Sequence, residues 1–208
     1  MKGKIFNAQE VLAIMRADKT QFREAIKPQP NSEINPVYLK ECNSWQWATK
    51  ESRRECPYQV GQKIFVKESF ADFRNNNSEI FYKSDFEINN LIRAADIKWK
   101  QAQHMKQEHS RIILLIKEIR VERLQDISEE DCDKEGIGHT GGWNGEDYDD
   151  GEFFFGKLIE TEDGMNWKNE MFEYPHLAFE KYWDSTHKKP EEKFEASPWV
   201  WVINFEVI

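Results

Sequence analysis

Residues 16–23, Arg-Ala-Asp-Lys-Thr-Gln-Phe-Arg, gather an amine, a hydroxyl and two guanidinium groups in one short stretch. Lys19 follows an apolar-striped segment. It is placed to hold a phosphate or a base carbonyl, to act as a general base if desolvation lowers its pKa, or to complement the end of a helix dipole. Thr20 and Arg23 accompany it, although a loop threonine needs only backbone bonds. Thr20 and Phe22 fall on one side of an extended segment, roughly 6–7 Å apart. Glu68 and Ser69 close an apolar run, where Glu68 is suited to accept from the exocyclic amine of a base or to pair with Lys19, Arg23 or Arg111. Arg111 has the planar fork for a phosphate or a carboxylate, and Glu68 is an equally good partner. Glu135 ends a segment with five acids in eight residues, 128–135. That pattern describes either a solvated helix face or a carboxylate kept for acid–base work. His104 reads as a hydrogen-bonded structural histidine, and Trp199 and Trp201 read as core.

The elements that must position these groups centre on residues 110–136. Ile112 to Ile116 form an apolar run suited to a strand covered on both faces, and Glu118 to Glu122 alternate with one wet face. Ser128 then caps a short acidic helix, which Gly136 stops. Before it, Asn7 caps a helix over about residues 8–17, residues 21–27 are strand-like, and residues 63–68 are a strand. Residues 174–186 have helical spacing. The segment 199–207 alternates as a strand, with Trp199, Trp201, Ile203, Phe205 and Val207 on one face. Five or six strands with short helices, not alternating regularly, predict an α+β fold built on a small mixed β-barrel.

The 208 residues are 39% hydrophobic and 13% aromatic, enough for one sizeable core and one domain spanning 1–208. Within it, residues 31–55 are an aromatic excursion without periodicity, and residues 138–173 are a Gly/Asp-rich, acidic surface insertion. In the excursion, Arg53-Arg54 beside Trp45 and Trp47 is the one interleaving of basic and aromatic residues. An ordinary surface loop and a nucleic-acid flap both fit it.

Charge is uneven. Residues 1–123 carry 22 Lys and Arg against 16 Asp and Glu, a net +6; residues 124–208 carry 7 against 22, a net −15. The acidic part argues against nonspecific coating of nucleic acid and leaves room for a local anionic site. No run reaches a membrane span, and no signal peptide is evident. Cys42, Cys56 and Cys132 are odd in number without a C-x-x-C pair, which favours a reducing cytoplasm. A zinc site from Cys42, Cys56 and a histidine is disfavoured, and no metal or cofactor is expected.

Four stretches taken in order resemble the ASCH domain family of the PUA-like superfamily, in the form common among phage and prophage proteins. They are Arg16 to Arg23; Cys56-Pro-Tyr with Val60-Gly61 through Phe70; His104-Met105 with Ser110 through Val121, Ser128, Glu135 and Gly136; and Ala178-Phe179 with Trp183-Asp-Ser and Pro198-Trp-Val-Trp-Val. The resemblance covers about residues 5–30, 56–136 and 174–208. It implies a PUA-like barrel of five to six strands flanked by short helices, with a cleft that binds RNA, a nucleotide or a modified nucleobase through Lys19, Thr20, Arg23, Glu68, Ser69 and Arg111. In the ASCH amidohydrolases that look like N-acetylcytidine deacylases, the proposed set is a Lys, a Thr and a helix Glu. Lys19 and Glu135 match it as catalytic candidates. Phe22 stands where the second Thr belongs, so deacylation is not expected. Asp18 also replaces the usual Gly before the motif. The expectation is a binding module for RNA or a modified nucleoside. The alternatives are an amidohydrolase of N-acylated cytidine-like nucleosides and a phage-type scaffolding protein whose protein partner docks on 138–173.

Overall fold

A computed structural model describes residues 1–30, 36–39, 44–46, 53–72, 80–85, 97–139, 153–155 and 170–208. In chain order, the first half contains β1 (Lys2–Ile5), α1 (Ala8–Met15), β2 (Gln21–Ala25), β3 (Val37–Leu39), β4 (Ser44–Gln46) and β5 (Arg53–Glu55). It continues with β6 (Lys63–Lys67), β7 (Phe70–Asp72) and β8 (Ile80–Tyr82). The second half contains β9 (Ile113–Arg123), α2 (Glu129–Lys134), β10 (Ile137–His139), β11 (Phe153–Phe155), α3 (Pro175–Thr186) and β12 (Trp199–Val207). The chain is thus α+β, with sheet dominant.

The main sheet has five strands in the order β1-β6-β9-β12-β2. Only β1 and β6 run parallel; the other three ladders are antiparallel. A bulge at Asn204/Phe205 shifts the β12–β9 register so that Asn204 faces Glu118 while Phe205 faces Ile116. Such an extra residue bends the strand and increases its twist. The sheet curls until its edges meet through side chains. Lys4 Nζ of β1 lies 2.8 Å from Glu24 Oε2 of β2, and the Phe6 and Phe22 rings meet edge-on at 5.7 Å. Among the described residues no backbone ladder joins β1 to β2. The barrel expected from the sequence is therefore not closed: a seam held by side chains replaces the last ladder.

Strand β12 is buried on both faces from Trp199 to Ile203, and its outer face opens at Asn204 and Glu206. Trp199, Trp201, Ile203 and Phe205 enter the cluster inside the curl with Phe6, Phe22, Leu114 and Ile116. Val200 and Val202 lie under α2 and α3 with Cys132, Phe179 and Trp183. The helices thus cover the outer face of the sheet, which is why its alternation carries Val where a wet strand would carry polar residues.

The caps follow the sequence. Asn7 Oδ1 accepts from Glu10 N while Glu10 Oε2 accepts from Asn7 N, a capping box opening α1. Ser128 Oγ accepts from Asp131 N at the start of α2. Gly136, just past Glu135, has φ +90°, a left-handed conformation natural to glycine. The left-handed residue before Lys19 is Ala17, at φ +64°, so Asp18 needs no glycine freedom. In the excursion, Trp45 is buried against Trp201 at 4.9 Å with Tyr38 at 4.7 Å. Trp47 and Cys42 lie outside the described residues. The insertion is more than a surface loop: β10, which runs into its start, pairs antiparallel with β11 near its middle, and Phe154 is buried.

Candidate functional site

Lys19 is positioned by the end of α1 and the end of α2. Its N–H donates to Ala13 O, its backbone bridges Glu135, and Thr20 N donates to Lys134 O at 2.9 Å. The Lys19 ammonium donates to both Glu135 Oε2 and Glu135 O at 2.8 Å. The lysine thus caps the carbonyl end of α2 while pairing with its terminal carboxylate. Thr20 contributes through its backbone: its carbonyl accepts from Phe205 N.

Glu135 has a second cation. Arg23 Nη1 donates to Glu135 Oε1 at 2.9 Å, and Arg23 Nη2 reaches Glu122 at 2.6 Å and Asp131 at 2.8 Å. Arg120 continues the chain of ion pairs to Glu122 and Asp131. The side chains of Lys19 and Arg23 are 0% exposed and that of Glu135 2%. Burial alone would lower the Arg23 pKa, but the charges of Glu135, Glu122 and Asp131 hold it above the ordinary value. Arg23 Nε alone finds no acceptor among the described residues, and the guanidinium lies 5.6 Å from the Phe179 ring. Of the acids in 128–135, for which the sequence allowed either a solvated face or acid–base work, Glu129, Glu130 and Asp133 are exposed. Asp131 and Glu135 instead turn inward, because cations from β2 and the loop before it meet them there.

Above this network lies a cleft of about 280 Å³. Its floor is the seam between the sheet edges, with Lys4, Ile5, Phe22 and Glu24. Asn7 and Glu10 of α1 form one wall; Tyr182, Trp183 and Thr186 of α3, with His187, form the other. Tyr182 hydroxyl donates to Glu10 Oε1 at 2.6 Å. Burial, with Glu10 and Glu135 nearby, pushes its pKa well above the ordinary tyrosine value, so it remains a donor. Trp183 is fixed by donating Nε1–H to Glu192 O at 2.7 Å and by stacking on His187 at 3.8 Å. Burial lowers the His187 pKa and outweighs its bond to Trp183 O, so the ring is neutral at pH 7. Burial also pushes the Cys56 and Cys132 thiols up to about 12, which leaves neither as a nucleophile at neutral pH.

The other expected site residues stand apart. Glu68 accepts from Arg111 through both carboxylate oxygens, at 3.0 and 3.2 Å, and from Ser84 Oγ at 2.6 Å. Arg111 also reaches Asp85 and lies over the Tyr82 ring at 4.0 Å. Glu68 and Arg111 thus saturate one another, and neither borders the Lys19 cleft. Ser69 borders a different hollow with Asn7, Ala8, Gln9 and Lys83. The expected convergence of all six groups on one cleft is corrected to Lys19 and Arg23, joined by Glu135. His104 is exposed and hydrogen-bonds through Nε2 with the Gln103 side chain at 3.2 Å.

Sequence reasoning missed Glu10, Tyr182, Glu122 and Asp131. Glu10 carried a signal, the third helical position after Asn7, but its second role toward Tyr182 depends on a helix 172 residues away.

No protein family, curated protein or solved structure matches the chain.

Proposed function

We propose that this is an ASCH-type binding module whose seam cleft takes an uncharged, nucleobase-sized ligand, free or as a base displaced from RNA. The curled sheet is then the PUA-like barrel of that family. One observation carries the reading: the charges around the cleft are balanced and already paired. Three cations, Lys4, Lys19 and Arg23, face three carboxylates, Glu10, Glu24 and Glu135. Each of the cations is bonded to one of those carboxylates. A phosphate would have to break such a pair, whereas a flat heterocycle needs only aromatic surface and a few donors and acceptors. Ile5, Tyr182 and the neutral His187 ring supply the surface; Asn7, Glu10 and Thr186 supply polar groups at the rim.

The test is a thermal-shift panel of free bases, nucleosides, nucleoside monophosphates and short RNAs. The expected result is a rise in Tm with particular bases or nucleosides and no gain from a phosphate. A panel in which only phosphorylated ligands stabilise the protein would reject the reading.

Deacylation of acetylated cytidine has less support. The Phe22 ring, at the position of the motif threonine, is 3% exposed and packs on Phe6, Tyr58 and Phe205. No hydroxyl at that position faces the Lys19–Glu135 pair.

A further inference from the structure

The Lys19–Glu135 pair borders the cleft yet is shut away from it, since the Lys19 side chain has no exposed surface. Two side chains cover the ammonium from the cleft side. Glu10 Oε1 is 3.8 Å from Lys19 Nζ, and the Tyr182 ring centre is 5.8 Å from it. Glu10 is fixed, because one oxygen is committed to the capping box and the other to the Tyr182 hydroxyl. Tyr182 is the movable one. Its ring is half-buried, and one hydrogen bond ties its tip.

Phe155 is stacked on that ring at 3.7 Å and 18° and restrains its outer side, while Phe179 meets it from the core side at 6.3 Å. A face covered by a parallel ring at that distance has no room for an ammonium, so Lys19 lies over the opposite face. Phe155 belongs to β11, which pairs with β10 over three residues and with Phe172 at one bridge. A two-stranded ladder of that length is marginal by itself and belongs to the part of a fold that opens first. The five-stranded sheet beneath belongs to the part that opens last.

We propose that Tyr182 is a door over the Lys19–Glu135 pair, and that the β10–β11 hairpin holds it shut. The β10–β11 pair then controls the depth of the cleft. With the hairpin docked, a ligand meets Tyr182 and the rim. With the hairpin released, Tyr182 rotates away and the ligand reaches an amine and a carboxylate. The functional use of the door rests on the cleft being a ligand site; its mechanics do not.

The experiment measures the rate at which Lys19 is acetylated by an N-hydroxysuccinimide ester in the full chain, read by peptide mass spectrometry. Lys4, with 24% side-chain exposure, is the open reference. Alkylation of buried Cys56 reports global loosening. In the wild type, Lys19 reacts far more slowly than Lys4. Phe155→Ala is expected to accelerate Lys19 by about tenfold, the size of effect one stacked aromatic pair can carry, with Lys4 and Cys56 unchanged. An unchanged Lys19 rate overturns the proposal. If Phe155→Ala also accelerates Cys56, Tyr182→Phe decides, because it keeps the ring and removes only the bond to Glu10. Faster Lys19 labelling at constant Cys56 supports the door, and an unchanged rate overturns it. A gain in Lys19 labelling with no heterocycle binding in the thermal panel would keep the door and reject the base-binding reading. Binding without any gain would do the reverse.

Discussion

Glu24 on β2 and Lys4 on β1 meet at 2.8 Å across a gap that no backbone hydrogen bond spans. Tyr58 hydroxyl joins them, donating to the same Glu24 oxygen at 3.0 Å. Burial alone would push the Glu24 pKa up; the charge and hydrogen bond of Lys4, with help from Tyr58 and Lys2, bring it below the ordinary 4.5. A depressed carboxylate contributes stability above its unfolded pKa and loses it as the pH falls through the folded value. The urea midpoint is therefore expected to drop as the pH goes below 4.5. Glu24→Gln should be less stable at pH 7 and lose less on acidification. Equal acid sensitivity of the two proteins would remove the seam pair from the account.

Arg23 serves three carboxylates at once, on β9, α2 and the end of α2. Arg23→Lys keeps the charge but provides one point donor where a fork is needed. It should cost about 2–3 kcal/mol, the scale of leaving buried acceptors without their hydrogen bonds. Chemical denaturation measures this directly, and a loss under ~1 kcal/mol would mean that water or a rearranged Arg120 replaces the guanidinium.

Phe22→Thr looks on the sequence like a repair of the motif. Here it would put a hydroxyl into an aromatic cluster and leave a void. The expected outcome is a loss of roughly 3–5 kcal/mol, as for other large-to-small core changes, without release of acetate from acetylated cytidine. Gain of turnover at near wild-type stability would show that the ring occupies the substrate's place.

Gly136 combines a left-handed backbone with crowding. A Cβ there would sit 3.3 Å from both Ala13 Cβ and Lys19 Cβ. Gly136→Ala should destabilise by about 1–2 kcal/mol through backbone conformation alone. It should also move Lys19 relative to Glu135, which amide shifts at residues 13, 19 and 135 would report.

Much of this architecture was legible before any coordinates. The strand–cap–helix run from residue 113 to Gly136, the capped α1, α3 and β12 each follow from local pattern, because their signals lie within a few residues. The Glu68–Arg111 pair was also legible as the plain alternative to a base-reading site. The burial of Asp131 and Glu135 was not. A run of acids reads as solvated unless its cations are known, and Arg23 lies 108 and 112 residues away from them. On the outer face of β12 the polar residues Asn204 and Glu206 mark the strand's open end, while Val200 and Val202 are covered by helices whose position no nearby residue announces. Phe155 was lost among glycines and aspartates, since nothing nearby in the sequence says that a tyrosine of α3 awaits it.

Strand β12 is hydrogen-bonded to β9 on one side and β2 on the other. While the chain is being synthesised, β2 has no neighbour to pair with until residues 199–207 have emerged. Lys19 and Arg23 are made 116 and 112 residues before the carboxylate of Glu135. For that interval the growing chain presents an unpaired strand that carries Arg23 and adjoins Lys19, the kind of open edge that is prone to wrong pairing. Assembly of the charge network and closure of the sheet then fall in one late, non-local step. Late, non-local closure is the kinetic counterpart of a site buried this deeply.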